Sequence, residues 1–502
     1  MLVLRGTVVT MRPGEVVERG AVYLDDDGLI AAITPLDAVP PGFEDARRVT
    51  AGGIIYPGLI DLHNHLLYNS LPLWREPNRA VPWDSHNQWT RAPSYRSRVS
   101  APANLLGAAA GRALLRYVET RAVVGGTTSV QGNPKGSVPP DGELVRNVDS
   151  ERFGTTKDFI RVRTLVVDDA ADLEPYLVSV GQGRGLVYHV AEGTRPALRE
   201  EFALLVEVGL VRRELVAIHG TALGAADLGR IAEGGASLVW SPFSNLWLYG
   251  ATADVAAAKA AGVNLCLGSD WGPSGTRSVL WEVKVADLWN RAQPSPVFTD
   301  EELVRLVTAN PGAALTGLWP HPVGCLEKGA LGDLVVLARR HADPYRNLVE
   351  ARETDVRLVV VGGRARYGLP SLMTAAGATT ASRIRLGRLS RAVDYGDPGI
   401  TWAGVRAELE EVRADPGTAA TRAVDALAAF VEAGPATRGA PFVLLPDMPD
   451  PDESLADAGP TSAALAVPVP PLQPLLTDAA WLAEVADNPF HGGLLTGLSG
   501  YR

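Results

Sequence analysis

The chain has 502 residues, of which 46% are hydrophobic and 21% charged, and a formal net charge of −10. This composition predicts a soluble globular protein with a sizeable core, and its acidic balance argues against a nucleic-acid-binding surface. The two cysteines have no metal-type spacing and argue against a disulfide framework. We expect neither a signal peptide nor a membrane span, and a reducing cytoplasmic location follows from these features.

The chain begins with short predicted strands, and the pattern of predicted elements changes near residue 57. Residues 1–56 alternate short apolar runs with Gly, Asp and Pro. From 57 to about 320, apolar strands alternate with Ala- and Leu-rich helical stretches, which predicts a parallel sheet with both faces covered. Seven strands are convincing: the run before His63, and residues 125–132, 159–167, 185–193, 214–220, 236–242 and 263–270. We find no eighth strand between 168 and 184, so the pattern alone does not establish a closed barrel.

The end of the chain divides into two further parts. Short strands return after residue 320, and they could pair with the opening segment as one composite β-sandwich domain of residues 1–56 and 323–370, with a barrel at 57–322 between them. Residues 371–502 form an extension, helical over 402–434 and carrying nine prolines between 441 and 474. Such a segment holds no long regular secondary structure. It could be a linker, a dimer arm or a lid over the strand ends.

Two histidines close the first strand of the predicted parallel sheet. His63 and His65 are two residues apart, so their side chains point to the same side and could face one point. Neutral imidazole is a common ligand for zinc or iron. Two polar residues that merely end a strand are the alternative.

Three later strands also end in groups that can bind a metal or move protons. His189 and Glu192 follow one strand, His219 the next, and Asp270 the last. The carboxyl ends of barrel strands are where catalytic groups gather. An isolated buried carboxylate is costly unless a metal or a hydrogen-bond network compensates its charge. The pattern therefore favours a metal site over four unrelated core residues.

These motifs, taken in order, resemble those of the amidohydrolase superfamily. The motifs are "PGLIDLHNH", "HVAE", "IHG", "SPFSNLWL" and "LGSDWG", followed by a tail "GCLEKGALGDLVVL" that resembles the family's closing strand pair. The pattern is most similar to the mononuclear-metal branch with cytosine deaminase, guanine deaminase and the s-triazine and chlorohydrolase enzymes. The resemblance covers residues 1 to about 370. It implies a (β/α)8 TIM-like metal-dependent hydrolase barrel with a small β-sandwich domain and, in this chain, a C-terminal extension.

The resemblance also implies roles for the polar strand ends. One divalent ion, zinc or alternatively iron, would have four ligands: His63, His65, His189 and Asp270. Glu192 would move protons as the catalytic acid and base, His219 would polarise the substrate, and Asp270 would also orient the attacking water. Binuclear relatives carry a lysine on the fourth strand. We find no strand-embedded lysine between 155 and 187, since Lys157 precedes its strand, and this favours a single ion.

Metal-activated water could attack several kinds of carbon. We expect deamination of an amino-substituted N-heterocycle, with hydrolysis of an amide, an imidazolone, a lactone or a C–Cl bond as alternatives on the same barrel. A non-catalytic scaffold is the remote alternative. The expected partner is a small-molecule substrate, with no nucleic acid and no membrane. Family resemblance implies a homo-oligomer, a dimer or larger.

Five residues are candidates for contacting the substrate. Trp74 and Arg75 lie in an aromatic and arginine-rich loop, 66–98, which could stack a flat ring and hold an anionic group. The alternative is a solvated lid or a subunit contact with Arg–carboxylate pairs. Gln131 ends the second strand and Asn245 lies in "SPFSNLWL"; both could bond the amide edge of a ring or tie loops together. Trp271 follows Asp270 and could stack on the substrate or pack in the core.

Overall fold

The computed structural model describes residues 1–132, 135–136, 144–150, 160–163, 169–433, 442–445 and 467–501. Within these residues lie nineteen strands: β1 Leu2–Val9, β2 Val16–Leu24, β3 Ile30–Pro35, β4 Arg47–Pro57, β5 Leu59–Asp61, β6 Thr127–Val130, β7 Lys135–Gly136, β8 Arg146–Asn147, β9 Ile160–Arg163, β10 Gly185–Val190, β11 Leu215–His219, β12 Ser237–Trp240, β13 Asn264–Leu267, β14 Leu334–Leu337, β15 Val356–Val361, β16 Arg364–Gly368, β17 Ser382–Leu386, β18 Leu389–Val393 and β19 Leu444–Leu445.

The same residues contain sixteen α-helices. They are α1 His86–Trp89, α2 Ala101–Ala109, α3 Gly111–Val124, α4 Glu174–Gly181, α5 Arg199–Glu207, α6 Ala225–Glu233, α7 Pro242–Tyr249, α8 Val255–Ala261, α9 Val279–Arg291, α10 Asp300–Arg305, α11 Ala309–Leu315, α12 Pro344–Glu350, α13 Pro370–Ala375, α14 Trp402–Ala414, α15 Pro416–Ala433 and α16 Ala479–Asp487. No helix among the residues described is long and apolar enough to cross a membrane.

Strands from both ends of the chain join in one nine-stranded sheet. Its order is β17-β18-β16-β15-β14-β4-β1-β2-β3, and β1 and β4 pair in parallel while the other neighbours are antiparallel. Alternate residues such as Leu4, Val22, Val336 and Leu358 point to one buried face and pack together. The pairing of β4 with β14 brings the opening segment against the strands that follow the barrel.

The sheet extends further along the chain than residue 370, where we expected the β-domain to end. β17 and β18 form a hairpin that pairs with β16. In β17, Ile384 and Leu386 are buried while Arg383 and Arg385 are exposed. This two-residue period is a strand signal that the sequence carried, but the resemblance to known relatives ended before it.

Eight parallel strands between residues 59 and 267 form the predicted (β/α)8 barrel. β5, β6 and β8 pair in that order, and β9 to β13 pair as a second run. A bridge between Asn64 and Asp270 joins the segments that follow the first and last of these strands. The residues that end the strands therefore meet at one edge, as in barrels of this type.

The sequence pattern missed β8, which is the third strand of the barrel. It has only two residues, Arg146 and Asn147, and both are polar, so it shows no apolar run. Arg146 is buried there because its Nε donates to Asp333 Oδ2 at 2.7 Å. The region between 169 and 184, where we had looked for it, holds helix α4. The fourth barrel strand, β9, lies within the predicted 159–167, whose remaining residues lie outside the described part of the chain.

Beyond the large sheet, the extension returns to the barrel. Helices α14 and α15 occupy the predicted helical stretch and are separated at Asp415, directly before Pro416. β19 pairs with β7, in the loop that follows the second barrel strand. Residues 467–501, here called the C-terminal arm, include α16 and pack against loops at the carboxyl ends of the barrel strands, as described below. Most of the proline-rich stretch, 446–466, lies outside the described residues.

Candidate metal-binding active site

Three of the predicted histidines converge at the strand ends. His63 and His65 follow β5, and His189 lies in β10. The ring centroid of His63 is 5.0 Å from that of His65 and 4.7 Å from that of His189, and all three side chains are buried. Each histidine has one ring nitrogen that lies within 4.8 Å of a ring nitrogen of both others. Such a cluster has the size of a metal-ion coordination shell.

Asp270 adds a carboxylate to the cluster. Its Oδ1 lies 3.2 Å from His63 Nε2 and 3.6 Å from His65 Nε2. Burial alone would raise the pKa of Asp270, but the neighbouring histidines, His63 before His219 and His65, bring this pKa below its usual value. The Asp270 side chain is therefore ionised at neutral pH.

The donor atoms fit a divalent cation. Gln131 Oε1 accepts from the backbone N–H of Asn64 at 3.2 Å, which fixes the orientation of the amide. The same oxygen lies 3.3 Å from His63 Nδ1, so this nitrogen carries the ring hydrogen. The lone pair of His63 Nε2 then faces the Asp270 carboxylate, and a shared cation stabilises such a pair of acceptors. Three imidazoles and one carboxylate suit zinc and related transition metals.

Glu192 and His219 lie beside this cluster. Glu192 is buried, and burial raises its pKa to about 7. Its Oε1 accepts from the Tyr249 hydroxyl at 2.6 Å and lies 3.7 Å from His219 Nε2. A carboxyl whose pKa lies near neutrality can both take and give a proton.

His219 is held as a neutral donor. Burial lowers its pKa to about 3. Asn245 Nδ2 lies 3.1 Å from His219 Nδ1, and Thr252 Oγ1 donates to Asn245 Oδ1 at 3.4 Å, which orients the amide. Since Nδ1 accepts from Asn245, the hydrogen of the neutral ring is on Nε2, the nitrogen near Glu192.

The backbone is strained where these side chains leave the strands. Ala191, His219 and Asp270 have φ values of 51°, 65° and 62°, in the left-handed region that residues with a Cβ seldom adopt. Strain of this kind concentrates at functional sites, where surrounding structure holds it in place. At Asp270, the N–H donates to His63 O at 3.0 Å, and the Asp270 carbonyl accepts from His65 N–H at 2.6 Å.

One buried carboxylate that the sequence analysis missed anchors the first and last strands to each other. Asp61 Oδ1 accepts from the backbone N–H of Ser269 at 2.9 Å, and Oδ2 accepts from Ser269 Oγ and from Asn64 Nδ2 at 3.1 Å. The bonds fix the distance between the His63–His65 segment and Asp270. The available signal was a carboxylate inside an otherwise apolar strand, two residues before His63.

The two amides predicted to contact substrate both lie beside histidines of the site, and their contact with a substrate stays a prediction. Gln131 Oε1 faces His63 and Asn64, and its Nε2 lies 3.5 Å from Asp149 Oδ1. Asn245 bonds to His219. An amide at a strand end can serve a ligand or a neighbouring ring equally well, and here the rings lie within reach.

Of the two tryptophans predicted to contact the substrate, one lies beside the site and the other packs in the core. Trp271 is buried beside the site, with its ring centroid 6.1 Å from that of His65 and 5.2 Å from that of Tyr68. Trp74 is also buried, and its Nε1 donates to Ser94 Oγ at 3.0 Å, so it packs in the core of the loop.

Arg75 pairs with the C-terminal arm. It donates through Nη1 to the carbonyl of Asp487 at 2.8 Å and through Nη2 to the Asp487 carboxylate. This pair joins loop 66–98 to the C-terminal arm. Contact between Arg75 and an anionic substrate group stays a prediction, since the guanidinium already has Asp487 as its partner.

Known proteins share this fold and part of this sequence. A model of the amidohydrolase family matches residues 190–367. The 5-methylthioadenosine/S-adenosylhomocysteine deaminase of Syntrophobacter fumaroxidans is 26% identical over 416 residues, which are 72% of this chain and 92% of that protein.

Two solved structures carry the same architecture with bound zinc. An adenosine deaminase from Xanthomonas campestris has 20% identity and a TM-score of 0.56 over 73% of this chain and 92% of its own. Atrazine chlorohydrolase from Arthrobacter aurescens has 18% identity and a TM-score of 0.59 over 73% of this chain and 95% of its own. The chain is thus similar to the amidohydrolase family over residues 190–367 and shares the barrel fold of these zinc-bound enzymes.

Proposed function

We propose that this chain is a metal-dependent aminohydrolase that releases ammonia from an amino-substituted N-heterocycle. The proposal rests on one observation: three imidazoles and one carboxylate, from three strand ends, converge within a few ångströms. We propose His63, His65, His189 and Asp270 as the ligands of one divalent ion, with zinc preferred over iron because both structural neighbours described above contain zinc.

A bound divalent ion would lower the pKa of water to about 7 and make a nucleophile available at neutral pH. Around it, each side chain has a separate task. Asp270 accepts a hydrogen bond from the attacking water and orients it. Glu192 takes one proton from that water and returns it to the heterocycle, and His219 Nε2–H donates to the oxygen as charge develops there.

The bonds balance as a hydrolysis. A carbon–oxygen bond forms between the water and the ring carbon, and the carbon–nitrogen bond to the exocyclic amine breaks. One hydrogen of the water ends on the ring nitrogen and the other on the amine, which departs as ammonia and leaves a ring carbonyl. The pairing of Glu192 with His219, 3.7 Å apart, supplies both a proton carrier and a donor for this step.

The substrate class follows from the site and from named relatives. The curated relative is named for 5-methylthioadenosine and S-adenosylhomocysteine, and the zinc-bound neighbour for adenosine. Trp271, the candidate for stacking on a flat ring, is buried with its ring centroid 6.1 Å from that of His65. We therefore place aminopurines first, with triazines and aminopyrimidines behind them. Loss of halide from an atrazine-like ring is the second candidate, favoured by the chlorohydrolase neighbour.

The decisive experiment combines metal analysis with a substrate screen. Purified protein is analysed for zinc and iron, then assayed for ammonia release from 5-methylthioadenosine, S-adenosylhomocysteine, adenosine, aminopyrimidines and triazines. We expect about one equivalent of metal and ammonia from an aminopurine. Chloride or carboxylate release without ammonia would contradict deamination. A protein that binds no metal when saturated with zinc would contradict the whole proposal and favour a scaffold.

Two further features belong to the proposal. We propose that the protein acts on a small molecule as a homo-oligomer, without nucleic acid. We also propose a reducing compartment, because both cysteines, Cys266 and Cys325, are free thiols.

A further inference from the structure

The Tyr249 hydroxyl lies between two partners that together fix the direction of its hydrogen. Its oxygen is 2.8 Å from Trp89 Nε1 and 2.6 Å from Glu192 Oε1. An indole N–H can donate but cannot accept. The phenol oxygen therefore accepts from Trp89 and directs its own hydrogen to Glu192, so that Glu192 Oε1 is an acceptor.

His219 approaches the same carboxyl oxygen. Its Nε2 is 3.7 Å from Glu192 Oε1, and Asn245 bonds the other ring nitrogen. The Nε2 hydrogen therefore lies on the Oε1 side of the carboxyl group. The Tyr249 hydroxyl and His219 Nε2 each direct a hydrogen towards Glu192 Oε1. A proton added to Oε1 would point at these two hydrogens.

Local backbone contacts hold these groups as one unit. Tyr249 is the last residue of α7 and is buried. The preceding residue, Leu248, accepts from the backbone N–H of Trp83 at 2.9 Å, and Glu192 O accepts from His86 N at 3.1 Å. The segment from Trp83 to Trp89 is thus fixed both to the end of α7 and to the residue that carries the carboxyl group.

We propose that Tyr249 is a positioning residue that keeps Glu192 Oε1 unprotonated, so that the proton carried by Glu192 resides on Oε2. This inference rests on the proposed role of Glu192 in proton transfer. An O–H bond of the attacking water breaks as one forms at Oε2, and the Oε2–H bond breaks when the heterocycle takes the proton. Because the same oxygen takes and gives the proton, the carboxyl group need not rotate between the two steps.

Tyr249→Phe removes the hydroxyl and keeps the ring, and Tyr23→Phe is the matched control. Tyr23 is equally buried but lies in β2 of the large sheet, where its hydroxyl meets the carbonyl of Ala38. Infrared difference spectra of the metal-loaded proteins across a pH step would show the protonated carboxyl of Glu192, assigned as the band missing in Glu192→Gln. The other titratable groups around Glu192 stay unchanged in both tyrosine variants: His65, His86, His219 and Asp270.

We expect the Glu192 carbonyl band to move to higher wavenumber in Tyr249→Phe, because Oε1 is the carbonyl oxygen and has lost a hydrogen bond. On 5-methylthioadenosine, or on the screened compound that releases ammonia fastest, kcat should fall about tenfold or more. KM should stay within about twofold, and thermal unfolding should show that the variant is folded. Tyr23→Phe should match the wild type in both readouts.

An unmoved band or an unchanged kcat in folded Tyr249→Phe would overturn the inference. Failure of the proposed function gives a different result. If Glu192→Gln retains full turnover, Glu192 is not the proton carrier, while the band shift in Tyr249→Phe still reports whether Oε1 accepts the tyrosine hydrogen.

Discussion

The residues of the candidate site are held by neighbouring side chains as well as by the strands that they follow. The positions of His63, His65, His189 and Asp270 at strand ends were predictable, because strand ends are recognisable and these residue types are uncommon there. The directions in which neighbouring amides point were not. Gln131 and Asn245 each contact a histidine ring in the structure. Tyr249 was missed because an aromatic residue at a helix end is usually core, and only the distance to Glu192 distinguishes it.

The role proposed for Glu192 is open to a direct test. Glu192→Gln keeps the shape of the side chain and removes its ability to carry a proton, so kcat should fall by about a hundredfold or more. Metal content should remain unchanged, since Glu192 is not among the proposed ligands. The measurement is ammonia release together with metal analysis. Glu207→Gln, at an exposed position on α5, is the matched control and should behave as wild type. Nearly full activity in Glu192→Gln would reject the assignment.

Elements were predictable in proportion to their length and apolar content. Strands β10 to β13 were found because each is a buried run of four to six residues. The two-residue strand β8 was invisible, since one buried arginine paired with Asp333 substitutes for an apolar side chain. The C-terminal arm was equally hidden. Its packing against the barrel includes ion pairs such as that of Arg277 with Asp478. An ion pair between residues far apart in the sequence produces no periodic pattern.

The Arg277–Asp478 ion pair is one of the contacts that hold the arm, beside buried side chains such as Trp481. Asp478→Asn removes the charge opposite Arg277, whose side chain is mostly buried, while Asn still caps helix α16 as Asp478 does through Trp481 N–H. We expect a loss of about 1–3 kcal/mol in the stability of the packed arm, because Arg277 is left without its partner. Limited proteolysis within 467–501, together with the thermal midpoint, measures it.

Asp487→Asn provides the comparison for the same chemical change. Asp487 pairs with Arg75, but its side chain is 72% exposed. An exposed pair contributes at most about 1 kcal/mol, so the cleavage rate should hardly change. Equal rates for the two variants would show that the Arg277–Asp478 pair does not hold the arm.

At the scale of the whole molecule, the cluster connects distant parts of the barrel. Its residues follow β5 and β13 or lie in β10, so a bound ion would link the first, fifth and eighth strands. We propose that residues 57–322 form this barrel, and that 1–56 and 323–370, extended by β17 and β18, form the β-domain. The arrangement of the two was predictable from the change between strand-rich and strand–helix patterns along the chain. The contribution of 371–502 was not, because the resemblance ends near residue 370.

Removal of metal should therefore lower the stability of the whole protein. An ion that binds only the folded state stabilises it by about 2.7 kcal/mol when present at a hundred times its dissociation constant. Chelation should lower the thermal midpoint and added zinc should restore it. His189→Ala should lose most of this response, and His341→Ala, at a partly exposed ion pair with Glu350, should keep it. A midpoint that is the same with and without zinc would count against the metal site.

The position of the arm also sets an order of events during synthesis. Asp487 lies 412 residues beyond its partner Arg75, and the last barrel strand ends at Leu267. At ribosomal rates of roughly 5–20 residues per second, the barrel has emerged on the order of ten seconds or more before Asp487 is made. During that interval the nascent barrel has its strand ends but not the segment that later packs beside them. An incoming ion can reach its ligands at that stage, before the C-terminal arm packs against the loops at the strand ends.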